Sequence, residues 1–352
     1  MTPLPRWADV LLLPVLNLLL ALGVTALLVL ATGNDPAVAL RALAVGSLGS
    51  ADAVGYTLYY ATNLVFTGLA VAVAFQAGLF NIGAEGQAAL AGLGVTAAAL
   101  GGLPAPAVLP LAVAAGALLG AGWAAVPGWL QARRDSHIVI TTIMFNFIAA
   151  SLTVWVVVNL LTQPGSMSPE SRRFPPAADL PGLAAFGLPG SAPVNLALPL
   201  ALLAAAGVWL LVWRTPWGYA LRVLGGSARV ARYAGIPQAR MTVAVMALSG
   251  ALASGVAVNE LLGAQHRLLL GFTGGYGFTG IAVALMGRNH PAGVLLAALL
   301  FGALTQGGAE LAFEMPALPS EIVVLIQGLV VLFAGALGNM LRPGLARVLG
   351  RA

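Results

Sequence analysis

The 352-residue sequence predicts an all-α integral membrane protein of about ten transmembrane helices with two inverted repeats. Three observations carry that prediction. First, 60% of the residues are hydrophobic and 8% are charged, against about 25% charged in an ordinary soluble domain; mean hydropathy is +0.95. Second, long apolar runs follow one another, most of them near the ~20 residues that cross a bilayer as a helix. Third, arginines collect in alternate connecting segments, the pattern of cytoplasmic loops.

The runs fall at residues 10–32, 56–78, 85–102, 106–127, 138–161, 194–213, 241–263, 268–287, 291–310 and 320–341. Together they make residues 1–352 a single transmembrane domain. Arg6 precedes the first run, and no small-residue cleavage site leading to a soluble domain follows it. That run therefore reads as the first span rather than a cleaved signal. With the N-terminus in the cytoplasm, only Arg41, Arg172, Arg173 and Arg267 fall outside; the other twelve of the sixteen basic residues fall inside. Ten spans return the C-terminus to the cytoplasm as well.

Composition also excludes chemistry. Cysteine is absent, so there are no disulfides and no thiol nucleophile. Every basic residue is arginine. Without lysine there is no phosphate-loop GK[ST], no Schiff-base lysine and no kinase-type lysine. The chain cannot be its own conventional ATPase. The isoelectric point of about 10.2 reflects arginines placed by topology, not a nucleic-acid surface. His137, His266 and His290 are spread over different segments and make no zinc set. No dense Asp/Glu/His chain suggests a proton relay, and Glu260 and Glu310 fall near outer helix ends, within reach of water.

In chain order, Asn34 to Asp52 lies outside and has room for a brief interfacial helix. The stretch AGLFNIGAEGQAALAGLG, Ala77 to Gly94, then sets Asn81, Glu85 and Gln87 among glycines in apolar surroundings. Polar, glycine-broken backbone at membrane depth is tolerated where it packs inside protein or faces a water-filled path. Three roles are open to these residues: lining a path, bonding freed backbone groups at a kink, or closing a helix start. Glu85 falls in the first turn of the third span, where a carboxylate suits the positive end of the helix dipole. Asn146 lies mid-span beside Thr141 and Thr142, where polar side chains bond across helices.

Residues 162–193 form an extracytoplasmic loop rich in Pro, Gly and Ser, read either as an irregular cap or as a loose connector. Residues 214–240, RTPWGYALRVLGGSARVARYAGIPQAR between spans, are too polar to cross the membrane. Gly225 and Gly226 break this cytoplasmic segment, Ser227 caps a short helix from Ala228 to Ala234, and Gly235 and Pro237 stop it. It is either an interfacial helix drawn to anionic lipid or a docking element for a cytoplasmic partner. Further on, LLLGFTGGYGFTG at Leu268 to Gly280 is a second glycine-broken segment. Its glycines lack both the strand context and the lysine of a nucleotide cradle. Tyr276 and Phe278 either stack on a flat solute or pack in the core. Spans two to five and seven to ten each contain one break, so they read as repeats of opposite topology. Matching interruptions of this kind point to a substrate path.

Four blocks together resemble the membrane permeases of nucleoside and simple-sugar ABC importers, within the group that includes ribose and branched-chain amino-acid permeases. They are GLFNIGAEGQ (Gly78 to Gln87), VITTIMFNFIA (Val139 to Ala149), TPWGYALRVLGGSARVARYAGI (Thr215 to Ile236) and GYGFTGIAVALMGRNHPAG (Gly275 to Gly293). They occur in family order along essentially the whole chain. The last block and the long outer loop look more like the nucleoside branch. One departure stands out: Ser136-His137 occupies the place of the family's usual Asn-Glu pair.

The resemblance implies a multi-pass permease of the bacterial inner membrane that performs no covalent chemistry. It implies a second permease subunit, usually a different one, two cytoplasmic ATPase domains that hold ATP and Mg, and an extracytoplasmic solute-binding lipoprotein. On that reading Asn81, Glu85, Gln87, Asn146, Tyr276 and Phe278 border the substrate path. Gly218, Arg222, Gly226, Ser227, Arg229, Arg232, Gly235 and Ile236 belong to the ATPase-coupling loop. Competing expectations are an ion-coupled secondary transporter of a small polar solute and an intramembrane enzyme. No nucleophile–base pair supports the enzyme.

Overall fold

A computed structural model describes residues 12–162, 168–182, 192–316 and 321–332. The chain is built of α-helices: α1 (Leu13–Ala31), α2 (Pro36–Leu48), α3 (Ala51–Gln76), α4 (Ala84–Ala99), α5 (Ala105–Arg134), α6 (Ile138–Val156), α7 (Ala197–Arg214), α8 (Pro216–Gly226), α9 (Ala228–Tyr233), α10 (Gln238–Ala253), α11 (Gly255–Ala257), α12 (Tyr276–Met286), α13 (Pro291–Glu314) and α14 (Glu321–Leu332). Six helical stretches are long and apolar enough to cross a membrane: Ala51–Gln76, Ala105–Arg134, Ile138–Leu161, Ala197–Arg214, Gln238–Gln265 and Pro291–Glu314. Shorter apolar helices include Pro36–Leu48 and Tyr276–Met286. The last expected span, 320–341, is described only to Leu332. Arg6, Arg342, Arg347 and Arg351 also lie outside the described residues.

The described chain divides into two compact units, one of residues 58–299 and one drawing on residues up to Thr57 and from Leu300 onward. In the smaller unit, α2 packs on α13 at small residues: a Cβ at Gly307 would strike the Leu43 carbonyl, and one at Gly46 would strike the Glu310 side chain. The Asn34 to Asp52 segment thus holds a full 13-residue helix. Pro36 begins it and the Asp35 carboxylate caps it, accepting from Ala37 N–H at 2.8 Å. Both are standard start signals.

In the larger unit, the C-terminal half of α3 is predominantly apolar and buried on every face, as expected of a helix enclosed by protein. Leu69, Ala70, Val71, Ala72, Val73 and Ala74 are each at most 1% exposed. Helix α5 packs against both α4 and α10. Small residues bring these backbones together, the usual device between membrane helices. Gly120 and Gly250 face one another so closely that a Cβ on either would strike the other's carbonyl oxygen.

The described part of the 162–193 segment, residues 168–182, is held by hydrogen bonds against residues 262–268. Ser171 N–H donates to Leu268 O at 2.9 Å, Phe174 N–H to His266 O at 2.8 Å and Leu180 N–H to Leu262 O at 2.7 Å. An Arg267–Glu170 ion pair and a His266–Asp179 contact, both at 2.8 Å, add to these. These bonds are not those of a loose connector over these residues, and residues 163–167 and 183–191 lie outside the described set.

The eighth expected span differs from its observed form. Residues 268–275 make turns, and helix begins only at Tyr276. Gly271, Gly274 and Gly275 take φ of +74°, +52° and +79°, a left-handed geometry that ends helical propagation despite the apolar Leu268–Leu270. A smaller correction concerns Gly225 and Gly226: α8 runs through both, and the chain turns at Ser227.

Candidate functional site

The two glycine-broken segments meet. Helix α4 starts at Ala84 and α12 at Tyr276, and a Cβ on Gly277 would collide with the backbone of Ala84 and Glu85. Two helix N-termini in contact bring together two positive dipole ends and two sets of unpaired N–H groups. Glu85 resolves the conflict. Its carboxylate accepts from Gly275 N–H at 3.1 Å and from Gly277 N–H at 2.8 Å, and the Thr273 hydroxyl also bonds it. One side chain in the first turn of α4 thus caps the opposing helix.

Asn81 and Gln87 shape the turn that leads into this junction. They exchange a reciprocal amide pair, both bonds at 3.1 Å. Asn81 Nδ2 also donates to Ser249 Oγ at 2.8 Å, and Ser249 Oγ donates to Ala70 O at 2.6 Å. Gly83 N–H donates to Asn81 Oδ1 at 2.8 Å. Asn81 and Gln87 are 0% and 1% exposed, so their side chains join α3, α4 and α10 from inside the protein. Asn146 clamps the same turn from α6: Gly86 N–H donates to its Oδ1 and its Nδ2 donates to Ile82 O, each at 2.9 Å. Of the three roles open to Asn81, Glu85 and Gln87, these bonds are those of kink-fixing and helix-start closure.

Tyr276 and Phe278 diverge. Phe278 is 50% exposed. The Tyr276 hydroxyl points to a second polar cluster, around Glu260, within hydrogen-bonding range of its carboxylate. Asn63 Nδ2 donates to Glu260 Oε1 at 2.6 Å and Gln265 Nε2 to Oε2 at 2.9 Å. The Tyr59 hydroxyl reaches the same carboxylate. Asn259 Nδ2 donates to Asn63 Oδ1 at 2.9 Å, and Asn195 Nδ2 to Asn259 Oδ1 at 2.9 Å. The expectation that Glu260 reaches water is overturned: it is 4% exposed. It sits in the π-helical turn Val258–Gln265 that extends α10 and α11, and protein donors replace water around it. Such turns recur where side chains are re-aimed for function. This cluster escaped notice in the sequence, although Asn259-Glu260 within an apolar run was the available signal.

The 214–240 segment forms α8 and α9. Thr215 caps α8 through Gly218 N–H, at 3.1 Å. A Cβ on Gly218 would strike the Leu211 and Val212 carbonyls, so α8 folds hard back on α7. Ser227 caps α9 through Val230 N–H, at 3.4 Å. Gly235 takes φ +71° just after the helix, and Ile236 N–H closes the turn on Ala231 O at 2.9 Å. Arg222, Arg229, Arg232, Gly226 and Gly235 are exposed, and Tyr233 is 88% exposed. The base of the segment is anchored at Gly225, where a Cβ would strike the Gln76 carbonyl and crowd Gly78 N. Gln76 Nε2 in turn donates to Asn289 O at 2.9 Å. Trp213 meets His290 edge-on, with ring centroids 4.9 Å apart. One end of α8 therefore touches the turn leading to the first break, and the end of α7 touches the turn that follows α12.

Among the described residues no group of three His, Cys, Asp or Glu side chains could hold a metal ion. Ser136 and His137 sit at the start of α6, with Thr141 Oγ1 3.5 Å from Ser136 Oγ, just after Asp135, which ends α5.

Residues 53–335 match the family described as branched-chain amino acid transport system / permease component. The chain belongs to this family of ABC transporter permeases. It is 37% identical to the glucose ABC transporter permease protein TsgB13 of Haloferax volcanii, covering 91% of this chain and 86% of that one. It is 36% identical to the guanosine ABC transporter permease protein NupP of Bacillus subtilis, covering 93% of each. It is 30% identical to the nucleoside ABC transporter permease protein NupB of Lactococcus lactis, covering 92% of this chain and 90% of that one. The chain is a multi-pass membrane permease subunit of the nucleoside and sugar ABC type.

Proposed function

We propose that this permease forms half of the translocation path of an ATP-driven importer, carrying nucleosides, purine-type first, or related simple sugars. The observation that carries the reading is the junction of two interrupted segments, α4 and α12, sealed by Glu85 on Gly275 and Gly277. Paired broken helices meeting inside a permease are where solute sites form. Asn81, Gln87 and Asn146 fix the shape of this junction, and Tyr276 and Phe278 border the path beside it. The relatives named for guanosine and nucleosides support the nucleoside reading; the one named for glucose keeps sugars within it.

The chain crosses the inner (plasma) membrane ten times as two inverted repeats, with both termini in the cytoplasm. It pairs with a second, different permease and receives solute from an extracytoplasmic lipoprotein. It binds no cofactor of its own. Two ATPase domains hold ATP and Mg, and their motion enters through the 214–240 loop. Gly218, Gly226, Gly235 and Ile236 shape that loop, Ser227 caps its short helix, and Arg222, Arg229 and Arg232 position it on the ATPase. Alternating access follows when this loop, through Gly225, displaces the Gln76–Gly78 turn and hence the junction.

The test is reconstitution of the assembled importer in liposomes with labelled guanosine, adenosine, ribose and glucose. ATP-dependent uptake of a nucleoside is expected. Uptake without the ATPase subunits, driven by an ion gradient, overturns the reading in favour of a secondary transporter.

A further inference from the structure

We propose that the groove between the C-terminal end of α5 and the start of α10 is a binding site for an anionic glycerophospholipid. The groove is a cavity of about 330 Å³ lined by Trp129, Ala132 and Arg133 of α5 and by Ala239, Arg240, Val243 and Ala244 of α10. Its lining is almost wholly apolar, which leaves the space open, and Arg133 and Arg240 are its two charged residues. Neither Arg133 nor Arg240 has an ion-pair partner among the described residues. Arg133 also lies in the last turn of α5, where a cation complements the dipole; that accounts for one arginine but not for the cavity or the second.

Continuity with the rest of α5 selects a lipid over a protein partner. Leu118 is 73% exposed and Trp129 46% exposed, and Leu111, Val126 and Arg133 are exposed on the same helical face. At ~1.5 Å per residue, Leu111 to Trp129 spans about 27 Å, close to the hydrocarbon thickness of a bilayer. The stripe then meets a tryptophan and an arginine in the order expected at the bilayer–water boundary. Acyl chains fit along the stripe, and the phosphate fits between the guanidiniums, which bind phosphate oxygens by charge-assisted hydrogen bonds. Basic pockets between helices at the cytoplasmic face hold anionic headgroups in this way. The inference rests on the proposed orientation, which puts this end of α5 in the cytoplasm.

The experiment uses the assembled permease pair with its ATPase subunits, in nanodiscs of phosphatidylglycerol or phosphatidylcholine, read by native mass spectrometry of retained lipid. Wild type is expected to retain phosphatidylglycerol in preference, and Arg133→Gln with Arg240→Gln to weaken that retention about 30-fold, from two cations near an anionic surface. Arg133→Lys with Arg240→Lys should keep most of it, and inorganic phosphate should not displace it. Equal retention by wild type and the Gln pair overturns the proposal, as does displacement by inorganic phosphate, which would make this a free-anion site. In the cysteine-free chain, Ala244→Cys should react with a maleimide once lipid is removed. Protection in lipid-free complex would show that a subunit, not a lipid, covers the groove. No substrate or ATP enters these readouts, so their failure is distinguishable from failure of the transport reading.

Discussion

Glu85 illustrates how far a single residue was legible. The sequence placed it in the first turn of a helix, and it is there. Its acceptor role was not legible, because its donors, Gly275 and Gly277, lie 190 and 192 residues away. Helix periodicity carries no information about which distant N–H a carboxylate will meet. The geometry gives an ordered pair of expectations. Glu85→Ala leaves two N–H groups and two facing dipole ends without an anion, and should lower stability by roughly 2 kcal/mol and abolish uptake. Glu85→Gln keeps an oxygen acceptor but not the charge, and should fall between. Thermal unfolding in detergent and uptake in liposomes measure both, and wild-type behaviour of Glu85→Ala would refute the capping role. Glu260 shows the opposite failure. Asn63 at 0% exposure supplies what water was expected to supply, and the Asn259-Glu260 pair marks the run as polar without saying whether it faces in or out.

At the scale of elements, helices were legible wherever apolar runs were long, because bilayer thickness fixes their length. Their breaks were legible from glycine, but not their edges. The start of α12 moved to Tyr276 because three left-handed glycines outweigh three leucines. In the proposed reading the α8–α9 segment divides into two parts that the sequence presented as one. The exposed tip, Ser227 to Ile236, is the part open to a partner. Gly235→Asp, or deletion of residues 227–236, should leave the permease inserted and abolish co-purification of the ATPase; retained co-purification would count against docking. The base at Gly225 is different. Adding a methyl there pushes on the Gln76 carbonyl, an overpacking of about 1–3 kcal/mol. Gly225→Ala should keep the ATPase bound but sever solute-stimulated hydrolysis from uptake. If stimulation and uptake both stay normal, motion does not pass through this contact.

The whole-molecule reading depends on which end of the bundle faces the cytoplasm. Its physical basis is the uneven placement of arginines, twelve against four if ten spans are proposed with the N-terminus inside. The absence of lysine fits the proposed reading, in which hydrolysis comes from partner subunits docking on the arginine-rich side. The absence of cysteine makes the matter directly measurable, because any introduced thiol is the only one in the chain. Tyr233→Cys sits at an 88% exposed position of the α9 tip, and Arg173→Cys sits at an exposed position of the 168–182 segment, proposed to lie outside. In intact cells a membrane-impermeant maleimide should label Arg173→Cys alone. In inverted vesicles without ATPase it should label Tyr233→Cys alone, and adding ATPase should protect it. The two sites lie on opposite sides of a span count that must be odd between them. Labelling of both from one side would therefore break the alternation on which the ten-span, inverted-repeat architecture rests. Labelling of each from the reverse side would keep the architecture but turn the importer over, placing the basic loop where no ATPase could reach it.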